Sequence, residues 1–217
     1  MRHHSRLLLA SAAAALLGLS LTACAPASTD GSVTPSPSPS PSSSPVTSPS
    51  ATPADRVVVI SVDGLSVDDG AVIAYDDPDG AVAALTDVFG SAPEEAPVEG
   101  PYDSVFTGFE WDGTNAIDYG TWIDVAVSAD ASGVIFRTPE GVGIGATRAD
   151  ALAAGAVDGW DEDGDGVADY LSIGVREVPG TSSLANPGQP GVEYISLKIV
   201  DDVVTRLSSG GNDYSDI

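Results

Sequence analysis

Aspartates at alternate positions are the clearest chemical signal in this sequence, in the stretch WDEDGDGVADYLSIG from Trp160 to Gly174. Calcium takes six to eight oxygens at about 2.3–2.6 Å, and loop positions 1, 3, 5, 7 and 9 supply them when a glycine at position 6 permits a sharp bend. Gly166 occupies that sixth position. The spacing predicts these ligands for Ca²⁺: Asp161, Asp163, Asp165, the Val167 carbonyl and Asp169.

The loop differs from an EF-hand at its twelfth position, where Ser172 replaces the usual bidentate glutamate. A strand, rather than a helix, is predicted to follow it. The segment resembles the Asp-x-Asp-Gly-Asp-Gly-x-x-Asp-Leu calcium loops of FG-GAP-type repeats, with Tyr170 where leucine is usual. The resemblance covers residues 161–174 alone, so it implies the same loop ligands and not a propeller fold.

A solvated turn is the alternative interpretation of this stretch, because Asp-Gly pairs suit tight turns. Carboxylates gathered in one short loop repel one another, however, and a cation would offset that repulsion. Extracellular calcium sites of this type have dissociation constants of about 10⁻⁴ to 10⁻³ M. We therefore expect a structural calcium ion that joins the second predicted helix to its sheet.

The N-terminal segment MRHHSRLLLASAAAALLGLSLTAC has the pattern of an export signal. Arg2 and Arg6 precede an apolar run that is too short to span a membrane, and small residues come before Cys24. The residues LTAC at its end resemble the lipobox of bacterial lipoproteins. This resemblance implies cleavage after residues 1–23, a diacylglycerol on Cys24, and anchoring at the extracytoplasmic face of the cell membrane.

An ordinary secretory signal with a chance cysteine is the alternative. Cys24 is the only cysteine in the chain, so it has no disulfide partner that would explain it. Two acyl chains hold a protein on a membrane stably, whereas one binds only marginally. We therefore interpret Cys24 as a lipid anchor.

The predicted mature chain has no histidine, because His3 and His4 both lie in the signal. Once Cys24 is acylated, the chain has no free thiol either. These absences exclude Ser-His-Asp and Cys-His nucleophiles, histidine general bases, and zinc sites built on His or Cys. Any catalysis would depend on carboxylates, hydroxyls, Lys198 or a hard metal ion.

The charge of the mature chain is strongly negative. Loss of Arg2 and Arg6 leaves six basic and thirty-two acidic residues, a net charge of −26. Such a surface repels phosphate backbones, so nucleic-acid binding is not expected, and it attracts cationic protein surfaces. A general compositional bias that favours solubility is the alternative explanation.

Composition divides the remaining chain into a tether and one domain. Residues 24–54 carry the lipidated cysteine and a Ser/Pro-rich stretch without aromatic or long aliphatic side chains, which is typical of a disordered tether. Residues 55–217 are long enough for a single globular domain with a hydrophobic core.

Two helices are predicted in the domain. Asp77 as N-cap, Pro78 at the first helical position and a terminal Gly90 delimit the first helix. Thr147 caps the second, with Asp150 placed to complete a capping box. The expected core faces are Val82, Leu85 and Phe89 on the first helix, and Ala151, Leu152 and Ala154 on the second.

Apolar alternation predicts strands over most of the rest. The segments concerned are VVVISVDG, SVFTGFEWDG, NAIDYG, TWIDVAVSAD, GVIFRT, YLSIGVREV and a hairpin, VEYISLKIVDDVVTRL, that turns at Asp201 and Asp202. Two helices packed on an antiparallel sheet make an α+β fold. A similar order of elements in residues 55–135 and 136–217 suggests a tandem duplication of one helix-plus-sheet module.

The segment GVGIGATRADALAAG resembles the Gly-x-x-x-Gly-x-[Ser/Thr]-x-x-[Asp/Glu] opening of β-lactamase-inhibitor-like and outer-membrane-assembly-lipoprotein-like modules. Those exported helix-plus-sheet units are often present as tandem copies, and they bind proteins without catalysing reactions. The resemblance implies a similar fold and a protein partner for this chain.

Three functions are consistent with these features. The first is a surface-tethered, non-catalytic module that binds a protein. The second is a cell-wall glycan hydrolase with paired carboxylates beside aromatic rings, around Glu110, Trp111 and Asp112 or around Trp160 and Glu162. The third is a purely structural envelope lipoprotein.

Overall fold

The computed structural model describes residues 55–131 and 133–215 of the chain. The predicted signal (1–23), the tether (24–54) and the anchor residue Cys24 lie outside this part. Neither helix of the described residues combines the length and the apolar character that crossing a bilayer requires.

Helix α1 (Pro78–Phe89) begins and ends where the sequence signals place it. Asp77 Oδ1 accepts the amide of Gly80 at 3.1 Å, and the proline occupies the first turn, where its missing N–H is not needed. Gly90 ends the helix in the left-handed conformation, with φ of 66°. The predicted first helix is confirmed.

Helix α2 (Arg148–Ala153) begins with the predicted capping box. Thr147 Oγ1 accepts the amide of Asp150 at 3.1 Å, while the Asp150 carboxylate accepts the Thr147 amide at 3.4 Å. Its core face is narrower than predicted, because Ala151 is buried but Leu152 is 42% exposed. The assignment of Leu152 to the core was wrong; α2 is only six residues long and turns that position to solvent.

The strands of the described residues form two sheets. Their bounds are β1 (Arg56–Ser61), β2 (Gly64–Val67), β3 (Glu94–Glu99), β4 (Val105–Trp111), β5 (Thr114–Asp118), β6 (Ile123–Val127), β7 (Val134–Arg137), β8 (Val157–Asp158), β9 (Tyr170–Val178), β10 (Gly191–Val200) and β11 (Val203–Asn212).

An antiparallel sheet of eight strands has the order β3-β4-β5-β6-β11-β10-β9-β8. A smaller sheet has the order β2-β1-β7, in which β1 pairs antiparallel with β2 and parallel with β7. The predicted hairpin of β10 and β11 is present, and Asp201 and Asp202 adopt positive φ values of 51° and 62° at its turn. The described residues therefore form an α+β fold with two α-helices and mostly antiparallel sheet.

One hydrophobic core contains buried residues from both sheets and both helices. Ile123, Val125 and Val127 point into it from β6, as their alternation predicted. Leu85 is fully buried on α1, and Val82 and Phe89 pack against the core while remaining part-exposed. The side chains that fill the remaining centre include Ile60, Leu65, Phe136, Leu171 and Leu197.

The described residues give no sign of the predicted tandem duplication. The two proposed halves share only the order of a helix followed by a strand meander. The proposed boundary between residues 135 and 136 falls inside β7. The helices have twelve and six residues, and the strands that follow them, β3 and β8, have six and two. Because β1 and β7 pair directly, the small sheet joins the two proposed halves.

Candidate functional site

Three carboxylates of the acidic loop, defined here as residues 161–169, lie close together. One oxygen from each of Asp161, Asp163 and Asp169 is within 4.8 Å of the others. We call these residues the acidic triad. An all-oxygen donor set of this kind suits a hard cation, so the triad could hold a metal ion.

The loop folds in this way because its carboxylates accept its own backbone amides. Asp161 accepts the amides of Gly164 and Gly166 at 2.7 and 2.9 Å. Both glycines have positive φ, 76° and 91°, which other residues rarely adopt. Asp169 Oδ2 accepts the amide of Glu162 at 2.7 Å and so closes the loop.

Two of the predicted ligands lie outside the acidic triad. Asp165 Oδ1 accepts the amide of Val167 at 2.8 Å, in the same way that Asp163 Oδ1 accepts the amide of Asp165 at 3.0 Å. Val167 has an exposed side chain. Ligation by Asp165 and by the Val167 carbonyl stays a prediction, and the backbone bonds are equally expected in a solvated turn.

The base of the loop is fastened to α2 and to the sheet. The Tyr170 amide donates to the Trp160 carbonyl at 2.9 Å, and the Ile199 amide donates to the Asp169 carbonyl at 2.7 Å. From α2, the Arg148 guanidinium donates to the Ala168 carbonyl and to Asp158. The acidic loop therefore connects the second helix to strands β9 and β10.

A groove of about 560 Å³ lies beside the acidic loop, on the outer face of strands β8 to β10, and we call it the loop groove. Its aromatic walls are Trp160, Tyr170 and Tyr194. Trp160 is 66% exposed, and Val157 and Val175 add further exposed apolar surface.

Small side chains make the groove concave. Strand register places Ser172, Ser196, Ser208 and Ala126 in one row across four neighbouring strands of the outer face. Ser172 and Ser196 line the groove between Tyr170 and Tyr194. Because serine extends little above a sheet, the larger aromatic residues stand above it as walls.

The acids in the loop groove have partners within the chain. Glu162 lies 3.5 Å from Lys198, whose ammonium is 5.1 Å from the centre of the Tyr170 ring. Asp158 pairs with Arg148 at 2.9 Å. Hydrogen bonding to Tyr170 and the charge of nearby groups raise the pKa of Lys198. The remaining acid of the lining, Asp213, accepts the Ser183 hydroxyl and the Val192 amide and has no basic partner among the described residues. The groove therefore presents aromatic surface with two of its three acids neutralised.

A second groove, of about 480 Å³, lies where β6 begins and β11 ends, and we call it the end groove. It contains Tyr75, Trp122 and Asp124. Burial raises the pKa of Asp124 to about 6. Sequence reasoning missed this residue, although the alternation Ile123, Asp124, Val125 already placed an acid on the outer face of an otherwise apolar strand.

Trp111 does not offer its ring to a ligand. It is 6% exposed, stacks on Phe89 with 5.7 Å between ring centres, and donates from Nε1 to the Ser91 carbonyl at 3.3 Å. Its neighbours Glu110 and Asp112 line neither the loop groove nor the end groove. Of the two proposed sugar-binding arrangements, Trp160 with Glu162 lines the loop groove, and Glu110 with Asp112 lines neither of the two grooves described.

Comparison with protein-family models, curated proteins and solved structures gives no match for this chain. The function proposed below therefore depends on the chain's own residues and geometry.

Proposed function

We propose that the protein is a lipid-anchored lipoprotein on the extracytoplasmic face of the cell membrane, and that its domain is a non-catalytic module that binds a protein. The observation that carries this proposal is the loop groove, where an exposed Trp160 borders a concave face with two further aromatic walls.

Exposed tryptophan and tyrosine in a concave surface are characteristic of binding sites. Such side chains bury a large area with little loss of conformational freedom, and they dominate the affinity of many protein interfaces. Apolar surface is exposed to water on three side chains of the groove, Trp160, Val157 and Val175. A bound partner would cover this surface.

The partner is expected to carry basic residues. The mature chain has a net charge of −26, which accelerates the approach of cationic surfaces. Because Glu162 and Asp158 already pair with Lys198 and Arg148, the charge acts mainly at long range, and the aromatic groove supplies the contact.

Calcium at the acidic triad would have a structural role in this proposal. The triad is exposed or part-exposed, and it closes a loop that forms one rim of the loop groove. A bound ion would offset the repulsion among Asp161, Asp163 and Asp169 and hold Trp160 in place at the base of the loop.

The anchor is proposed from the sequence. Cys24 follows the lipobox-like residues LTAC and precedes a Ser/Pro-rich tether, a combination that would hold the domain at a distance from the bilayer. The domain would then be free to engage a partner at the membrane surface or in the cell envelope.

A glycan hydrolase is the second candidate, and the position of Trp160 and Glu162 in one groove favours it. In that case purified full chain would release reducing ends from cell-wall glycan, and Glu162→Gln would abolish the release. The binding proposal expects no release by either protein.

Crosslinking in intact cells tests the binding proposal. The full chain and two variants, Trp160→Ala and Val72→Ala, are crosslinked and affinity-purified. Val72 is the matched control because it is 56% exposed and lies outside both grooves. We expect one specific partner with the wild type and Val72→Ala, and its loss with Trp160→Ala. Equal capture by all three proteins would contradict the proposal.

A further inference from the structure

The end groove combines aromatic and acidic side chains. Its lining includes the aromatic residues Tyr75, Trp122 and Tyr194 and the acidic residues Asp63, Asp124 and Glu193. No lysine or arginine belongs to this lining among the residues that the structure describes. A groove with aromatic faces and an excess of carboxylate has the composition that cationic ligands require.

Part of this acidic charge is already neutralised. Arg176, outside the groove, forms ion pairs with Asp63 and with Glu193. Asp124, by contrast, accepts no side-chain hydrogen bond and contacts no basic group in the described part of the chain, and burial alone accounts for its raised pKa. A part-buried carboxylate without a partner is unfavourable, so Asp124 is the group that a cation would stabilise.

The backbone beside Asp124 is shaped to admit its carboxylate. Gly210 has φ of 73°, and a Cβ atom at this position would lie 2.1 Å from Asp124 Oδ1. Glycine therefore leaves the space that the carboxylate occupies. The side chain is held against the end of β11 and lies within the groove lining.

The Tyr75 hydroxyl is a second polar group without a partner. Its oxygen is buried and forms no hydrogen bond within the described residues. Ser209 is close to it, but the Ser209 hydroxyl accepts the Val125 amide at 2.7 Å and makes no bond of good geometry with Tyr75. Burial raises the pKa of Tyr75, so the hydroxyl is neutral and can accept a hydrogen bond from a ligand.

The Trp122 ring is held in a fixed orientation at the groove wall. It stacks on Tyr119, with 4.9 Å between ring centres, and Tyr119 packs edge-on against Phe106 at 4.7 Å. A rigid indole face loses little freedom when a ligand binds, and tryptophan is the best aromatic partner for a cation.

We propose that the end groove binds a primary alkylammonium group, which donates N–H bonds to the Asp124 carboxylate and the Tyr75 hydroxyl while its methylene chain lies against Trp122. A quaternary ammonium would leave the buried Tyr75 oxygen without a donor, so the site favours –NH₃⁺. This ammonium comes from a lysine side chain of a protein or from a free polyamine. The site does not depend on the lipid anchor; its lining shares Tyr194 with the loop groove, but the proposed contacts with Asp124, Tyr75 and Trp122 lie outside that groove.

Calorimetric titration of the full chain in non-ionic detergent at neutral pH tests the site. The probes are n-butylammonium chloride, tetramethylammonium chloride, N-acetyl-lysine methylamide and cadaverine. We expect n-butylammonium to bind and tetramethylammonium to bind more weakly. Tighter binding of the lysine derivative assigns the site to a protein lysine, and tighter binding of cadaverine assigns it to a free polyamine.

Variants separate this site from the general negative charge of the protein. Asp124→Asn is expected to lower the affinity for n-butylammonium by about tenfold or more, because a charge-assisted hydrogen bond is lost. Tyr75→Phe is expected to lower it by about threefold to tenfold without destabilising the fold, because the hydroxyl has no partner to lose. Glu95→Gln, at an exposed position of β3, removes the same charge elsewhere and should leave the affinity unchanged.

Three results would overturn the proposal. The first is no binding of any primary amine by the wild type. The second is equal affinity of the wild type and Asp124→Asn for n-butylammonium. The third is an equal loss of affinity in Glu95→Gln and Asp124→Asn, since that result would assign binding to the overall charge of the surface. Melting curves of the variants verify that each one is folded.

Discussion

The Asp169 carboxylate accepts the backbone amide of Glu162 at 2.7 Å and thereby ties the end of the acidic loop to its beginning. This bond helps to bring Asp169 within 4.8 Å of the Asp161 and Asp163 oxygens. Three carboxylates so close together repel one another, and a divalent cation would turn that repulsion into attraction.

Calcium is therefore expected to stabilise the full chain. At about ten times its dissociation constant, a single ion adds about 1.4 kcal/mol to the free energy of unfolding, which corresponds to a rise in melting temperature of about 3–6 °C for a domain of this size. Thermal melting with calcium and then with chelator measures the effect. An unchanged melting temperature together with no heat of calcium binding would contradict the structural ion.

Two neighbouring aspartates provide a matched pair of variants for the calcium site. Asp163 and Asp165 each accept one backbone amide, at 3.0 and 2.8 Å, but only Asp163 belongs to the acidic triad. We expect Asp163→Asn to abolish the calcium-dependent rise in melting temperature and Asp165→Asn to lower it by less, because ligation by Asp165 is predicted from spacing alone. The reverse order would place the ion outside the triad.

Much of the fold follows from local sequence signals. Asp77 and Gly90 delimit α1, the capping box begins α2, and apolar alternation marks β6 and the hairpin of β10 and β11. These features depend on residues close together in the chain, so the sequence displays them directly.

Two kinds of element were not predicted: strands whose own residues do not indicate a strand, such as β3, and pairings with a strand far along the chain, such as β1 with β7. β3 has the sequence EEAPVE, whose acids and proline indicate a loop, yet it pairs with β4 as an edge strand, where exposed charge and proline are tolerated. The sequence contains no local signal for the parallel pairing of β1 with β7, and none for the two-residue strand β8. The grooves arise from the meeting of several strands, and for that reason the sequence did not reveal them.

Core packing is tested by two leucine variants. Leu85 is fully buried on α1, whereas Leu152 is 42% exposed on α2. Leu85→Ala is expected to lower the free energy of unfolding by about 2–5 kcal/mol, and Leu152→Ala by less than about 1 kcal/mol. Urea unfolding of the full chain measures both values. Similar losses would mean that Leu152 belongs to the core after all.

Arg148 is expected to stabilise the connection between α2 and the acidic loop. Its side chain is only 15% exposed and bonds both Asp158 and the Ala168 carbonyl. Arg148→Met should lower the free energy of unfolding by about 1–3 kcal/mol, because hydrogen bonds from a charged group are lost. Arg206→Met is the control, because within the described residues this exposed guanidinium bonds Ser208 alone, and its effect should be below about 0.5 kcal/mol.

Asp124 is expected to make stability depend on pH. Burial raises its pKa from 3.8 to about 6, so the folded state holds this proton more tightly than the unfolded chain does. The resulting stabilisation is complete below about pH 4 and is lost as the pH rises through about 6. Because the Asp124 side chain is only part-buried, this stabilisation is on the order of 1 kcal/mol.

The variant Asp124→Asn isolates this contribution from that of the other acids. Between pH 4 and pH 7.5, the free energy of unfolding of the wild type should fall by about 1 kcal/mol relative to that of Asp124→Asn. Denaturant unfolding at both pH values measures it. A difference that stays constant with pH would show that Asp124 titrates at its ordinary pKa.

The lipid anchor is the claim on which the proposed function most depends, and the mass and location of the mature protein test it most directly. Cells producing the full chain are separated into membrane and culture fluid, and the protein is analysed by intact mass spectrometry. We expect it in the membrane, beginning at Cys24, with the mass of a diacylglycerol added to that residue. Mature protein in the culture fluid with a free Cys24 thiol and no fatty acid would contradict the account.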